Sequence, residues 1–175
     1  MQINLFDVSS TDGKILEQRV PVELQGVSFQ QGDFPVVSSE MLRLHIENVG
    51  DHVLEMSGEG SLTVEIPCAR CLTPVHVPIE IRFSRKLDMK QSEQQRIEEL
   101  DELSYLTGMD LDVDRLVYLE ALIGWPSKVL CKEDCKGICS RCGKNLNTGS
   151  CDCEPEPKDP RMAAISDIFR KFKEV

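Results

Sequence analysis

The sequence predicts an α+β fold: an antiparallel β meander, flat or closing toward a barrel, with a few short helices and a C-terminal cysteine-rich zinc module. Three observations carry this. Apolar residues alternate with polar ones in three segments, Leu42-Leu44-Ile46, Leu62-Val64-Ile66 and Val75-Val77-Ile79-Ile81-Phe83, which is the period of half-buried strands. The links between these segments are too short for the crossovers that a parallel sheet needs. Six of the eight cysteines fall between Cys131 and Cys153, among Lys, Gly, Asn and Ser, so this stretch cannot order itself around a hydrophobic core. At 175 residues and 19.7 kDa the chain fits one domain with a small appendage. The expected division is residues 1–126 for the mainly β domain, 127–154 for the zinc module and 155–175 for a C-terminal helix that packs back.

In chain order, Ile3, Leu5 and Val8 suggest a short strand, Asp12-Gly13 a turn, and Val20 to Leu24 a second short strand. The strand at Leu42–Ile46 ends in a Gly50-Asp51 turn, and a further strand is read at Val53 to Met56. Gly58-Glu59-Gly60 is read as the turn before the Leu62 segment. Leu42, Leu44, Leu62, Val64, Ile66, Val77, Ile79 and Ile81 should point inward, because a shift of one residue would expose all of them. From Ser92 to Glu120 the chain is strongly acidic, with only Arg96 and Arg115 in opposition. That stretch is either a solvated linker or surface helix, or a docking surface for a basic partner. Asp112 or Asp114 then caps a helix with apolar positions Val113, Leu116, Val117, Leu119 and Ile123, ending at Gly124 before Pro126. Pro155 and Pro157 form a stiff spacer. Asp159-Pro160 starts a last helix with Ala164, Ile165, Ile168 and Phe169 on one face.

Composition narrows the function. Twenty Lys and Arg face thirty Asp and Glu, for a net charge of −10, so any grip on phosphate backbones must be local. Aromatics are 5% of the chain with one Trp, too few for a continuous base-stacking platform. The opening residues show no basic segment followed by an apolar one, and no apolar run nears the roughly 20 residues of a membrane span. The expected location is the cytoplasm, where thiols stay reduced and closely spaced cysteines read as metal ligands.

Cys68-Ala-Arg-Cys71 lies between two predicted strands, where a hairpin tip can aim two sulfurs at one ion. The later cysteines are Cys131-x3-Cys135, Cys139-Ser-Arg-Cys142-Gly and Cys151-Asp-Cys153. Eight thiols suit two tetrahedral zinc sites, with Cys139, Cys142, Cys151 and Cys153 at one and Cys68, Cys71, Cys131 and Cys135 at the other. A rival division gathers Cys135, Cys139, Cys142 and one of the last pair, leaving Cys68 and Cys71 as a free dithiol. Catalysis is not expected. Four thiolates leave no open position on zinc, His45, His52 and His76 read as surface residues, and neither a phosphate loop nor a nucleophile constellation is present. No small-molecule substrate is expected.

The Cys68–Cys71 hairpin, Trp125-Pro126, the run from Leu130 to Asn147, Cys151-Asp-Cys153 and Asp159-Pro160-Arg161 together resemble the YceD family of bacteria and plastids. The resemblance spans roughly Leu42 to the C-terminus. It implies a non-catalytic factor in accumulation or maturation of large-subunit (23S) ribosomal RNA, with rRNA precursors or ribosomal proteins as partners. It supplies no catalytic residues. Some members lack a module like Cys139–Cys153 while keeping a pair like Cys68/Cys71, which casts that module as reinforcement.

Lys128, Lys132, Lys136, Arg141 and Lys144 surround these cysteines. Lys132, Lys136, Arg141 and Lys144 are the candidate contacts to RNA or a partner, since the zinc module is where sequence proximity and an imposed fold could gather positive charge. Offsetting the net −2 of each zinc–tetrathiolate centre would explain them equally well. Two other readings stand beside this one: a zinc-ribbon nucleic-acid-binding accessory protein, and a thiol oxidoreductase using Cys68 and Cys71.

Overall fold

Long strands dominate the chain because its alternating apolar positions run further than any single predicted segment. The computed structural model describes residues 1–29, 32–91 and 104–153. In order these form β1 (Gln2–Asn4), α1 (Phe6–Ser9), β2 (Ile15–Val20), β3 (Gly26–Phe29), β4 (Gly32–Ser39), β5 (Leu42–Gly50), β6 (Val53–Pro67), β7 (Pro74–Asp88), β8 (Leu106–Thr107), β9 (Asp110–Asp112) and α2 (Val113–Ile123). Every strand pairing among the described residues is antiparallel, as the meander requires.

The hairpin of β6 and β7 is the spine, paired without interruption from Val53↔Asp88 to Pro67↔Pro74. Along its other edge β6 pairs with β5, from Val53↔Gly50 to Glu59↔Arg43, and beyond that with β4, at Leu62↔Ser39 and Val64↔Val36. β4 and β5 therefore lie end to end as one interrupted strand. β3 adds to β4, and β2 to β5. No pairing joins β7 back to β2 or β3 among the described residues, so the sheet is open. A small second sheet, in the order β1-β9-β8, leads into α2.

The Gly50-Asp51 turn is present: Asp51 and His52 have φ of 55° and 61°, the two positive values of a two-residue type I′ hairpin loop. The turn expected at Gly58-Glu59-Gly60 is absent, because these residues lie inside β6. Gly58 and Gly60 fall on the inward side, in phase with Leu54, Met56, Leu62, Val64 and Ile66. A Cβ on Gly58 would sit 2.4 Å from Cζ of Phe83, and one on Gly60 3.4 Å from Cδ1 of Leu42. The glycines make room for neighbouring side chains, and the two strands expected at Val53–Met56 and Leu62–Ile66 are one.

The N-terminal region departs further. Ile3 is in β1 but Val8 is in α1, the second strand is Ile15–Val20 and not Val20–Leu24, and a further hairpin, β3–β4, precedes β5. Buried Asn48 explains part of this. Its Nδ2 donates to the carbonyls of Val8 and Ser9 at 3.0 Å each, and its Oδ1 accepts from Gly50 N at 2.9 Å. A long-range polar contact, invisible as periodicity, thus holds α1 against β5.

Leu42, Leu44, Leu62, Val64, Ile66, Ile79 and Ile81 are buried together with Leu54, Met56, Phe83 and Leu87, while Val77 is half-buried against them. α2 packs on β7 and β3. Asp112 caps it by accepting from Arg115 N at 3.0 Å. Asp114 instead accepts from Glu23 N at 2.8 Å. Val113, Leu116, Val117 and Ala121 are buried, but Ile123, expected on the apolar face, is exposed. Glu120 is buried and paired with Arg85 at 2.6 Å, which fixes α2 to β7. Trp125 packs on Phe34 with ring centroids 4.9 Å apart. The acidic residues from Glu93 to Glu102 and the expected C-terminal helix lie outside the described residues. No helix among the described residues is long and apolar enough to cross a membrane.

Candidate metal centres

The far end of the β6–β7 hairpin places the first cysteines. Past Pro67 the chain folds tightly: Cys68 N donates to Thr73 O at 2.8 Å, Leu72 N donates to Cys68 O at 2.9 Å, and Leu72 takes a φ of 60°. The segment after α2 is bound alongside, with Ala69 N donating to Val129 O at 2.9 Å and Arg70 Nη1 donating to Cys135 O at 2.8 Å. Cys68, Cys71, Cys131 and Cys135 are gathered so that their Sγ atoms lie within 4.8 Å of one another. The Cys68–Cys135 and Cys71–Cys131 separations are 3.7 and 3.5 Å. Four sulfurs at the usual zinc–sulfur distance of about 2.3 Å stand about 3.8 Å apart in a tetrahedron, whereas a disulfide requires about 2.0 Å. All eight cysteines are free thiols.

The second group is built on a small hairpin. Ile138 bridges Asn145, Cys139 N donates to Lys144 O and Gly143 N to Cys139 O, both at 2.9 Å. Gly143, in the position expected of a knuckle glycine, has a φ of 71°. Cys151 and Cys153 return to Cys139 and Cys142, and again all four sulfurs lie within 4.8 Å. The two groups are those of the preferred division. The rival set of Cys135 with Cys139 and Cys142 is not the one brought together.

The thiols do not behave as isolated groups. Burial raises the Cys68 thiol, but the backbone amides of Arg70, Cys131 and Cys71 outweigh it and bring Cys68 down to about 6. The neighbouring Cys71 thiol, with burial second, pushes Cys131 up to about 12. Amides of Cys142 and Arg141 bring Cys139 down to about 6, and the thiol of Cys142, again with burial, pushes Cys153 up to about 12. In each centre one thiol, Cys68 or Cys139, is thus favoured as the thiolate and another, Cys131 or Cys153, as the protonated form. A divalent cation replacing those protons would satisfy all four sulfurs at once.

Residues that the spacing of cysteines does not reveal complete the first centre. Asn147 Nδ2 donates toward Cys135 Sγ at 3.3 Å, and its Oδ1 accepts from Lys136 N at 2.9 Å. Asn145 Nδ2 donates to Thr73 Oγ1 at 3.2 Å, and that hydroxyl lies 3.2 Å from Cys71 Sγ. Asn145 also accepts from both nitrogens of Asn147 at 2.9 Å. These asparagines belong to the loop that closes the second centre but support the sulfurs of the first. In sequence they are polar residues between two cysteine pairs, and only their proximity in the fold discloses the role.

Lys128, Lys132, Lys136, Arg141 and Lys144 are all exposed. Lys132 lies 3.7 Å from Asp134. Lys144 Nζ donates to Ser150 O at 2.6 Å, closing the loop between Cys142 and Cys151. The histidines are on the surface, where His45 meets Glu17 at 3.1 Å and His76 meets Glu65 at 3.5 Å.

No solved structure matches the chain. An uncharacterized protein of Mycobacterium tuberculosis (strain ATCC 25618 / H37Rv) is 28% identical over 132 residues, covering 73% of this chain and 61% of that protein. An uncharacterized protein of Mycobacterium leprae is 27% identical over 105 residues, 60% of this chain and 48% of its own length. The chain therefore spans less than two thirds of these relatives. A chloroplastic protein of Arabidopsis thaliana, named large ribosomal RNA subunit accumulation protein YCED homolog 1, is 36% identical over 59 residues, which is 34% of this chain and 17% of that one. Residues 56–169, from the first part of β6 through both cysteine groups, match the family described as large ribosomal RNA subunit accumulation protein YceD, and the chain belongs to that family.

Proposed function

We propose that this protein is a non-catalytic cytoplasmic factor supporting the accumulation or maturation of large-subunit ribosomal RNA, with one structural zinc ion in each cysteine tetrad. The observation that carries this reading is the family match, which runs through the β6–β7 hairpin and both tetrads together. The donor sets suit zinc: four thiols, no carboxylate or imidazole, and sulfur spacings near a tetrahedral edge. Cys68, Cys71, Cys131 and Cys135 would hold one ion, and Cys139, Cys142, Cys151 and Cys153 the other. Bound zinc supplies folding energy and no reactive position, since four thiolates close its coordination.

The first centre joins the tip of the β6–β7 hairpin to the chain after α2, and the second orders a loop with little apolar content. Zinc here would fix surfaces that meet the pre-ribosome, with Lys132, Lys136 and Arg141 as exposed candidates for RNA or protein contact. Lys144 is partly committed to Ser150. Partners are precursors of large-subunit RNA or the ribosomal proteins on them.

The test is elemental analysis of the purified chain together with its sedimentation on a lysate gradient. We expect close to two zinc ions per chain and migration with large-subunit precursors. No metal with eight freely reacting thiols would refute the zinc assignment, and a chain that never leaves the top of the gradient would refute the ribosomal one.

A further inference from the structure

The solvent face of the sheet, opposite the core and outside both cysteine centres, carries a row of charge that strand pairing assembles from distant parts of the sequence. Arg19 on β2 pairs with Arg43 on β5, Arg43 with Glu59 on β6, and Glu59 with Arg82 on β7. Four adjacent strands about 4.8 Å apart spread the row over roughly 14 Å. All four residues are exposed, and they line an open cavity of about 560 Å³, whose floor includes Ser57 and the backbone at Gly58.

Two features mark this row as more than a solvated surface. Arg19 and Arg43 are directly opposed like charges, an arrangement that costs stability in a sheet. Of the three arginines, only Arg43 has a carboxylate partner, Glu59 at 3.0 Å. Arg19 and Arg82 have no ion-pair partner among the described residues. The nearby Glu17 is turned to His45 at 3.1 Å, and Glu80 flanks the row on β7. Like charges opposed on adjacent strands, with two of the three arginines lacking a carboxylate partner among the described residues, are the kind of broken local rule expected of a functional surface.

We propose that Arg19, Arg43 and Arg82 form a groove that binds the phosphodiester backbone of an RNA strand, with the Ser57 hydroxyl as an additional donor. Guanidinium forks match phosphate oxygens in two-point contacts, and scarce aromatics leave the backbone, not the bases, as what this face reads. The choice of RNA rests on the ribosomal reading above; the anion site rests on the row itself. It gives an acidic chain a local positive surface remote in sequence from the cysteine-rich segment.

The experiment uses the full zinc-loaded chain and a fluorescently labelled 12-nucleotide uridine RNA, with anisotropy followed across salt concentrations. The triple variant Arg19→Gln, Arg43→Gln, Arg82→Gln is expected to bind at least about ten-fold more weakly. Its plot of log affinity against log salt should be shallower by about 2, since each phosphate contact on a single strand contributes about 0.7. Zinc content should be unchanged, and Arg19→Gln alone should weaken binding without lowering the melting temperature, because it relieves the repulsion from Arg43. Unchanged affinity and slope in the triple variant, or no binding by the unmodified chain, overturns the proposal. So does tighter, row-dependent binding of a polyglutamate peptide, which would make the occupant an acidic protein. If the unmodified chain sediments with precursors and the row is silent, only this inference fails. If the row binds RNA but the chain never meets precursors, it is the ribosomal reading that fails.

Discussion

Replacing Asn147 with Ala tests whether the second cysteine loop supports the first centre. The side chain donates toward Cys135 Sγ at 3.3 Å, and Cys135 is only 3% exposed, so water cannot readily take over as donor. A hydrogen bond to a charged acceptor is worth about 1.5–3 kcal/mol. Two other contacts are lost: that from Lys136 N, at an exposed residue that water can satisfy, and that from Asn147 Nδ2 to Asn145 Oδ1, which keeps its bond from Asn147 N. A net loss of about 2 kcal/mol corresponds to roughly 30-fold weaker zinc binding, at about 1.4 kcal/mol per factor of ten, within the usual range for removal of an outer-shell partner of a metal ligand. Asn147→Asp should be worse, because it keeps an acceptor for Lys136 N but places a negative charge beside thiolates. Competition with chromogenic chelators would read both variants. The same substitution in a chain carrying Cys139→Ser and Cys142→Ser, where only the first tetrad remains, would assign the effect. Release curves identical to those of the unmodified chain would refute the coupling.

Three further outcomes follow from the packing. Gly58→Ala should cost about 1–3 kcal/mol, since its Cβ would sit 2.4 Å from the Phe83 ring, and Phe83→Leu in the same chain should recover part of that in denaturant melts; additive losses would contradict the contact. Asn48→Ala should cost about 2–4 kcal/mol by deleting three hydrogen bonds at a fully buried side chain, and protease should then cut first near α1; an unchanged midpoint would contradict its bridging role. Zinc removal by a chelator should unfold residues 127–153 in hydrogen exchange while β5, β6 and β7 retain protection, because the core of the sheet contains no cysteine.

The sheet was legible where one face is apolar. Period-2 alternation at Leu42–Ile46, Leu62–Ile66 and Val75–Phe83 gives strand identity and inward face, and the division of the cysteines was legible because a hairpin tip and a core-poor segment each needed partners. Gly58 and Gly60 misled because an inward glycine facing Phe83 or Leu42 looks, in one dimension, like a glycine in a turn. The N-terminal region was hidden for a related reason: β2 is mostly exposed, so it has little apolar alternation to read, and its register is set by β5.

The arginine row marks a different limit. Proximity along the chain points to the cysteine-rich segment alone as the place where so acidic a sequence gathers positive charge. Strand pairing concentrates basic residues across the chain instead: Arg19, Arg43 and Arg82 are far from one another in sequence, yet meet because β2, β5, β6 and β7 stand in register. Register itself is fixed from the other face, where a slip of one residue would expose Leu44, Met56 and Ile81. The buried face thus positions the charges on the open one, and a register-preserving change in the core should leave the row intact. A change that shifts β2 against β5 would separate Arg19 from Arg43 without altering a single charge. Inserting one residue in the Thr11–Lys14 turn is such a perturbation, and loss of RNA binding with unchanged zinc content would tie the surface chemistry to the pairing that builds it.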